Sequence, residues 1–121
     1  MPSRTKSILC VEDHPDTCEL IAAVLHEYKV ISAAGVLDAV KMLAADSFDV
    51  VLLDYHLPDG TGVELCKLIR ASDQKTPIVF VTGTSSITKD EIAVIGAQGI
   101  VRKGTYDFIH RLLGTVEPLC G

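Results

Sequence analysis

An α/β fold built on one parallel sheet, five strands alternating with five helices, is the class this sequence predicts. Three observations lead there. Short apolar runs recur at Ile8-Leu9-Cys10-Val11, Val50-Val51-Leu52-Leu53 and Ile78-Val79-Phe80-Val81. Each is too short for a buried helix and apolar on both faces, as a strand inside a covered parallel sheet must be. Stretches with helical spacing of apolar residues separate these runs, so the strands are joined by crossovers that put helices on both faces of the sheet.

Ser7–Val11 is the first strand and ends in Glu12-Asp13. His14-Pro15 opens the first helix, because proline suits a first helical turn. Cys18, Ile21, Leu25 and Tyr28 give that helix an inner face. Residues 30–33 form a short second strand, which Gly35 punctuates. Val36, Val40 and Leu43 are the stripe of a second helix ending near Asp46-Ser47. Residues 48–53 are the third strand, followed by a loop holding Pro58, Gly60 and Gly62. Leu65, Leu68 and Ile69 mark the third helix, broken by Lys75-Thr76-Pro77. The fourth strand, residues 78–81, ends in Thr82-Gly83-Thr84. Ser85 or Ser86 caps the fourth helix, whose apolar face is Ile87, Ile92 and Ile95 and which Gly96 stops. Residues 98–102 are the fifth strand, followed by Lys103-Gly104. Thr105 caps the last helix, with Phe108, Ile109, Leu112 and Val116 inward. Pro118 and Gly121 end the chain.

The 121 residues fit one domain over 1–121, and 48% hydrophobic residues can fill its core. There is no 18-residue apolar run and no signal peptide, so a cytoplasmic protein away from membranes is expected. Cys10, Cys18, Cys66 and Cys120 lack C-x-x-C spacing and read as reduced thiols. A net charge of -5, with no basic run and 5% aromatic residues, argues against direct nucleic-acid binding.

In a parallel sheet all strand C-termini share one edge. Glu12-Asp13, Asp54, Thr82 and Lys103 each follow an apolar strand, so they gather on one rim. Alone, each has a plain explanation: a turn former or helix cap for the acids, a strand-edge hydroxyl for Thr82, a solvated charge for Lys103. Together they make a chemical set. Crowded carboxylates invite a divalent cation, and an all-oxygen site suits Mg²⁺. A lysine and a hydroxyl complement phosphoryl oxygens, and a carboxylate can itself be the nucleophile of phosphoryl transfer.

With these residues the chain resembles the receiver domain of two-component response regulators from Ile8 to about Val116. The markers are Glu12-Asp13, Asp54 after four apolar residues, Pro58 and Gly62, Thr82, Gly96-Ala97 and Lys103. The resemblance implies a flavodoxin-like, doubly wound sheet of strand order 2-1-3-4-5. It implies a phosphorylation-dependent signalling switch, not a turnover enzyme. Asp54 would accept a phosphoryl group from a histidine kinase or histidine phosphotransfer protein and release it by its own Mg²⁺-dependent chemistry. Glu12, Asp13, Asp54 and the carbonyl of His56 would hold Mg²⁺. Lys103 would pair with Asp54, and the Thr82 hydroxyl would move to the phosphoryl group. The face formed by the fourth helix, fifth strand and fifth helix would then meet a downstream protein target, in a monomer or a phosphorylation-dependent dimer.

His56 and Thr84 match positions that tune water attack on the phosphoryl group; His56 either does so or is an exposed bystander. Two positions depart from the family pattern. Gly104 stands where a cis proline is usual, implying a trans or strained cis bond. Ile100 stands where an aromatic switch residue is usual, and isoleucine is stiff at χ1. An alternative reading is therefore a degenerate receiver acting as a phosphorylation-independent interaction module. A stand-alone chain and a piece of a hybrid kinase or larger regulator read alike. A phosphatase of the haloacid dehalogenase type does not fit: Asp59-Gly60-Thr61 looks similar to its motif, but the nucleophile position is Leu57.

Overall fold

Every residue of β1 (Ser7–Val11), β3 (Val50–Leu53) and β6 (Ile78–Thr82) is buried. These strands occupy the middle of a five-stranded sheet, as runs apolar on both faces require. The computed structural model describes residues 5–85 and 87–121. Half-exposed β2 (Lys29–Ala33) and β7 (Gly99–Arg102) are the sheet edges. The order is β2-β1-β3-β6-β7, with every pairing parallel. Counting only these strands, this is the expected order 2-1-3-4-5. A two-stranded antiparallel hairpin, β4 (His56–Leu57) with β5 (Gly60–Thr61), lies in the loop after β3 and was not expected. Pro58 and Asp59 form its turn.

Alternate strand residues feed two cores, as the two-residue strand period dictates. Leu9, Val11, Val51, Leu53 and Phe80 pack on one face with Ala39 of α2 (Val36–Ala45), Leu65 and Ile69 of α3 (Gly62–Ser72) and Ile92 of α4 (Lys89–Val94). Ile8, Cys10, Val50, Leu52, Val79 and Val81 pack on the other with Ile21 of α1 (Pro15–Val24) and with Phe108, Leu112 and Val116 of α5 (Phe108–Cys120). All four cysteines are free, and three of them are buried. Among the described residues no helix is long and apolar enough to cross a membrane.

Several helix details differ from the sequence expectation. α1 ends at Val24, so Tyr28 packs on the core from beyond the helix. Val40 and Leu68 are 40% and 54% exposed instead of forming inner faces. They line a groove of about 430 Å³ between α2 and α3, floored by Phe48 and Ile69. Phe48 itself precedes β3. The cap of α4 is Thr88, whose Oγ1 accepts from Glu91 N; Ser85 lies in the preceding loop, and Ser86 lies outside the described residues. Ile87 is buried from that loop, ahead of the helix. α5 starts after Asp107, not Thr105, whose hydroxyl donates to the Arg102 carbonyl. Ile109 is 52% exposed, and Pro118 lies inside α5.

Two features shape the loop after β3. Gly62 opens α3 where a Cβ would collide with the carbonyl oxygen of Asp54. Asp59 reaches across to α2, accepting from Val36 N at 2.7 Å and Leu37 N at 3.0 Å. It thereby satisfies two N–H groups that the Gly35 cap, lacking a side chain, leaves open. These bonds hold the Asp59 carboxyl below the usual range.

Candidate functional site

The rim is stitched by backbone before any side chain acts. Glu12 N donates to Ala33 O at 2.9 Å, Asp54 N to Val11 O at 3.1 Å, and Lys103 N to Thr82 O at 3.0 Å. These bonds tie the end of β1 to β2, the end of β3 to β1 and the end of β7 to β6. Glu12 and Asp54 are only 3% and 7% exposed, and Thr82 is buried at the end of β6. Asp13 and His14 project to solvent at the start of α1, where His14 is the cap and Pro15 the first helical residue.

Lys103 joins the acids. Its Nζ lies 2.7 Å from Glu12 Oε1 and 3.2 Å from Asp54 Oδ2. The sequence paired Lys103 with Asp54; the shorter contact is to Glu12. Asp54 Oδ1 accepts from Tyr55 N at 2.8 Å. Burial alone would raise the Asp54 carboxyl, but Glu12, Lys103 and the Tyr55 N–H outweigh it and hold Asp54 below the carboxylate range. Burial and the facing Asp54 carboxylate push Glu12 up. Burial would lower the Lys103 ammonium, yet Glu12 and Asp54 raise it.

Glu12 Oε2 is buried without a hydrogen-bond partner among the described residues. An orphaned carboxylate oxygen costs desolvation unless something positive meets it. Ligand atoms of Glu12, Asp13, His14 and Asp54 all lie within 4.8 Å of one another. The orphaned oxygen and this donor set fit a divalent cation. His14 is the member that sequence reasoning missed, having been read only as a helix opener; its position directly after two acids was the available signal.

The remaining candidates sit around this centre. His56 is exposed on β4, its ring edge-on to Tyr55 at 4.7 Å between centroids. Thr82 Oγ1 accepts from Thr84 N at 3.3 Å. Arg102, which the sequence did not single out, donates to the carbonyls of Thr84 and Ile87 and so clamps the loop after β6 to β7. Ile100 is half-buried on β7 against the α2–α3–α4 core. Gly104 has φ +78° in open space, and the Lys103-Gly104 bond is trans.

The family model for the response regulator receiver domain matches residues 8–111. The response regulator protein PilR of Pseudomonas aeruginosa is 33% identical over 111 residues, 90% of this chain and 23% of its own length. The uncharacterized transcriptional regulatory protein YrkP of Bacillus subtilis is 36% identical over 99 residues, 79% of this chain and 42% of its own length. This chain thus spans less than half the length of the curated relatives it matches. Among solved structures, the response regulator protein TrrA of Thermotoga maritima, in complex with Mg²⁺-BeF, is 27% identical with a TM-score of 0.84, covering 95% of this chain and 99% of that one. The chemotaxis response regulator CheY4 of Vibrio cholerae is 28% identical with a TM-score of 0.84, covering 96% and 99%.

Proposed function

The chain belongs to the response regulator receiver domain family, and we propose that it is a phosphorylation-dependent switch of a two-component phosphorelay with Asp54 as acceptor, one receiver domain spanning residues 1–121. The observation that carries this reading is the buried Asp54 with the Lys103 ammonium 3.2 Å away on a rim shared with Glu12 and Asp13.

An Asp54 carboxylate oxygen attacks the phosphorus of a phosphohistidine on a histidine kinase or histidine phosphotransfer protein. The P–N bond breaks, the imidazole nitrogen keeps the electron pair and takes up a proton from solvent, and an aspartyl phosphate remains. Lys103, already beside Asp54, meets the added negative charge. Glu12, Asp13, Asp54 and the His56 carbonyl would hold Mg²⁺, in keeping with the orphaned Glu12 oxygen. A cation there supplies charge neutralisation for the phosphoryl oxygens. His56 and Thr84 flank the path of the water that later hydrolyses the acyl phosphate.

The Thr82 hydroxyl turns toward the phosphoryl group and gives up its bond from Thr84 N. That displaces the loop held by Arg102 and changes the α4–β7–α5 face, where Val94 of α4, Ile109 of α5 and Tyr106 of the loop before α5 are exposed. Ile100 and Gly104 lie on this route. A downstream protein docks there, with the chain cytoplasmic and either monomeric or dimerising on phosphorylation; the net charge of -5 does not favour nucleic acid. The test is intact mass after incubation with Mg²⁺ and acetyl phosphate. We expect a single phosphate adduct that is absent in Asp54→Asn. Wild type that never gains it, from this donor or from a kinase, would overturn the proposal in favour of an interaction module independent of phosphorylation.

A further inference from the structure

We infer that the groove between α2 and α3 binds a small amphipathic amine, an apolar ring or chain that ends in an ammonium group. The groove opens at the edge of the sheet opposite Asp54, because Asp46 and Phe48 precede β3 while Asp73 and Thr76 precede β6. It is therefore independent of the phosphoacceptor rim.

The walls specify the apolar part. Val40 of α2 and Leu68 of α3 are exposed, and the floor is buried Phe48 and Ile69. Apolar surface left in a concave site gains by being covered. The volume of about 430 Å³ lies at the low end of the range for ligand sites, about 300–1,000 Å³. That is room for a small molecule.

The charges specify the polar end. Among the described residues the lining holds two carboxylates, Asp46 and Asp73, and no Lys or Arg; Lys41, Lys67 and Lys75 are exposed outside it. Both acids are C-caps, Asp46 of α2 and Asp73 of α3. A helix C-terminus is the negative end of its dipole, so an acid there is disfavoured and a cation is favoured. Asp73 is compensated by the N–H groups of Lys75 and Thr76 and by the Thr76 hydroxyl, and Arg70 donates to its carbonyl. Asp46 is not compensated. α2 has no basic residue in its last turn, and the exposed Asp46 carboxylate has no hydrogen-bond or ion-pair partner among the described residues. An ammonium beside Asp46 meets this carboxylate and the free carbonyls that end α2.

The same charges disfavour other occupants. A two-fold contact with a second copy sets each acid patch against its own kind. Nucleic acid and anionic lipid bring phosphates to a site that already repels them.

The test is NMR titration of the isotope-labelled full chain with tryptamine, and with tryptophol and indolepropionate, which carry the same ring with a neutral and an anionic end. Tryptamine should shift the amides of Val40, Ala44 and Leu68 saturably and leave those of Asp54 and Lys103 unmoved. Tryptophol should bind about threefold weaker, the scale of one exposed ion pair, and indolepropionate weaker still. Asp46→Asn should bring tryptamine to the level of tryptophol and leave tryptophol unchanged. Leu68→Ser and Val40→Ser, both at exposed positions, should weaken tryptamine and tryptophol alike by about threefold or more, with core resonances unmoved. Equal affinity for the three compounds overturns the inference, as do shifts at Asp54 in place of the groove, no shifts at all, or unchanged tryptamine affinity in Asp46→Asn. Groove amides that shift with protein concentration alone put a second copy on this face and overturn it as well.

Discussion

Replacing Gly62 by alanine probes how the acceptor strand is locked to the helix behind it. The new methyl would collide with the carbonyl oxygen of Asp54 and lie 2.9 Å from Phe80 Cε2. Neither can retreat. Phe80 is fully buried, and Gly62 N donates to Tyr55 O at 2.8 Å, which pins the backbone beside Asp54. Overpacking costs about 1–3 kcal/mol, and a backbone obstacle places this case near about 3. For 121 residues the unfolding entropy near Tm is about 0.25 kcal/mol/K, so Tm should fall by about 12 °C. Gly83→Ala is the control: no atom lies within 4 Å of its Cβ and its φ is ordinary. Its change should stay within about 0.5 kcal/mol, or about 2 °C. Calorimetry and urea titration read both variants, and the acetyl phosphate adduct reads the acceptor. Gly62→Ala should also slow adduct formation, because relieving the clash moves the peptide that carries Asp54. A Gly62→Ala protein no less stable than Gly83→Ala would refute this account of the loop.

Three further perturbations separate the forces at the site and in the fold. Lys103→Met leaves two buried carboxylates without their cation and should cost about 3 kcal/mol at pH 7 by urea titration, in line with breaking a buried pair; a loss under about 1 kcal/mol would mean that the pair behaves as solvated. Arg102→Ala should speed amide exchange in the loop after β6 by removing its bonds to the Thr84 and Ile87 carbonyls, and unchanged protection would show that other contacts hold the loop. Asp73 is held below the usual range by the Thr76 hydroxyl and the N–H groups of Thr76 and Lys75. Its stabilisation is present above the unfolded value of about 3.9 and lost as pH falls through the lower folded value. Asp73→Asn should therefore be less stable than wild type at pH 6 and converge with it at low pH, as followed by urea midpoints; a constant gap would show that the carboxylate charge is not what matters.

The sheet was legible because its central strands are apolar on both faces, a pattern few alternatives share. The rim was legible for the same reason: a polar residue directly after such a strand must lie at its C-terminal edge. Helix faces were read less well. Val40, Leu68 and Ile109 look like core by spacing but are exposed, because a groove opens between α2 and α3 and α5 turns only part of its apolar stripe inward. Small Ala39 and Cys66, which do sit at helix contacts, carry a weak hydrophobic signal. Caps misled where two hydroxyl residues compete within a few positions, as with Ser85 and Thr88, since the choice rests on where the helix meets the sheet. Arg102 and Asp59 act on backbone groups distant in sequence, and no local pattern announces such bonds.

That last contact has a consequence for anyone exchanging segments between related proteins. A Cβ at position 35 would lie 2.5 Å from Asp59 Oδ1, so a side chain there would push the carboxylate away from the two N–H groups it seals. Positions 35 and 59 are therefore coupled in this chain. A graft of the loop after the acceptor strand that leaves its glycine behind would carry an acid turned out to solvent, and the recipient helix would lose its seal.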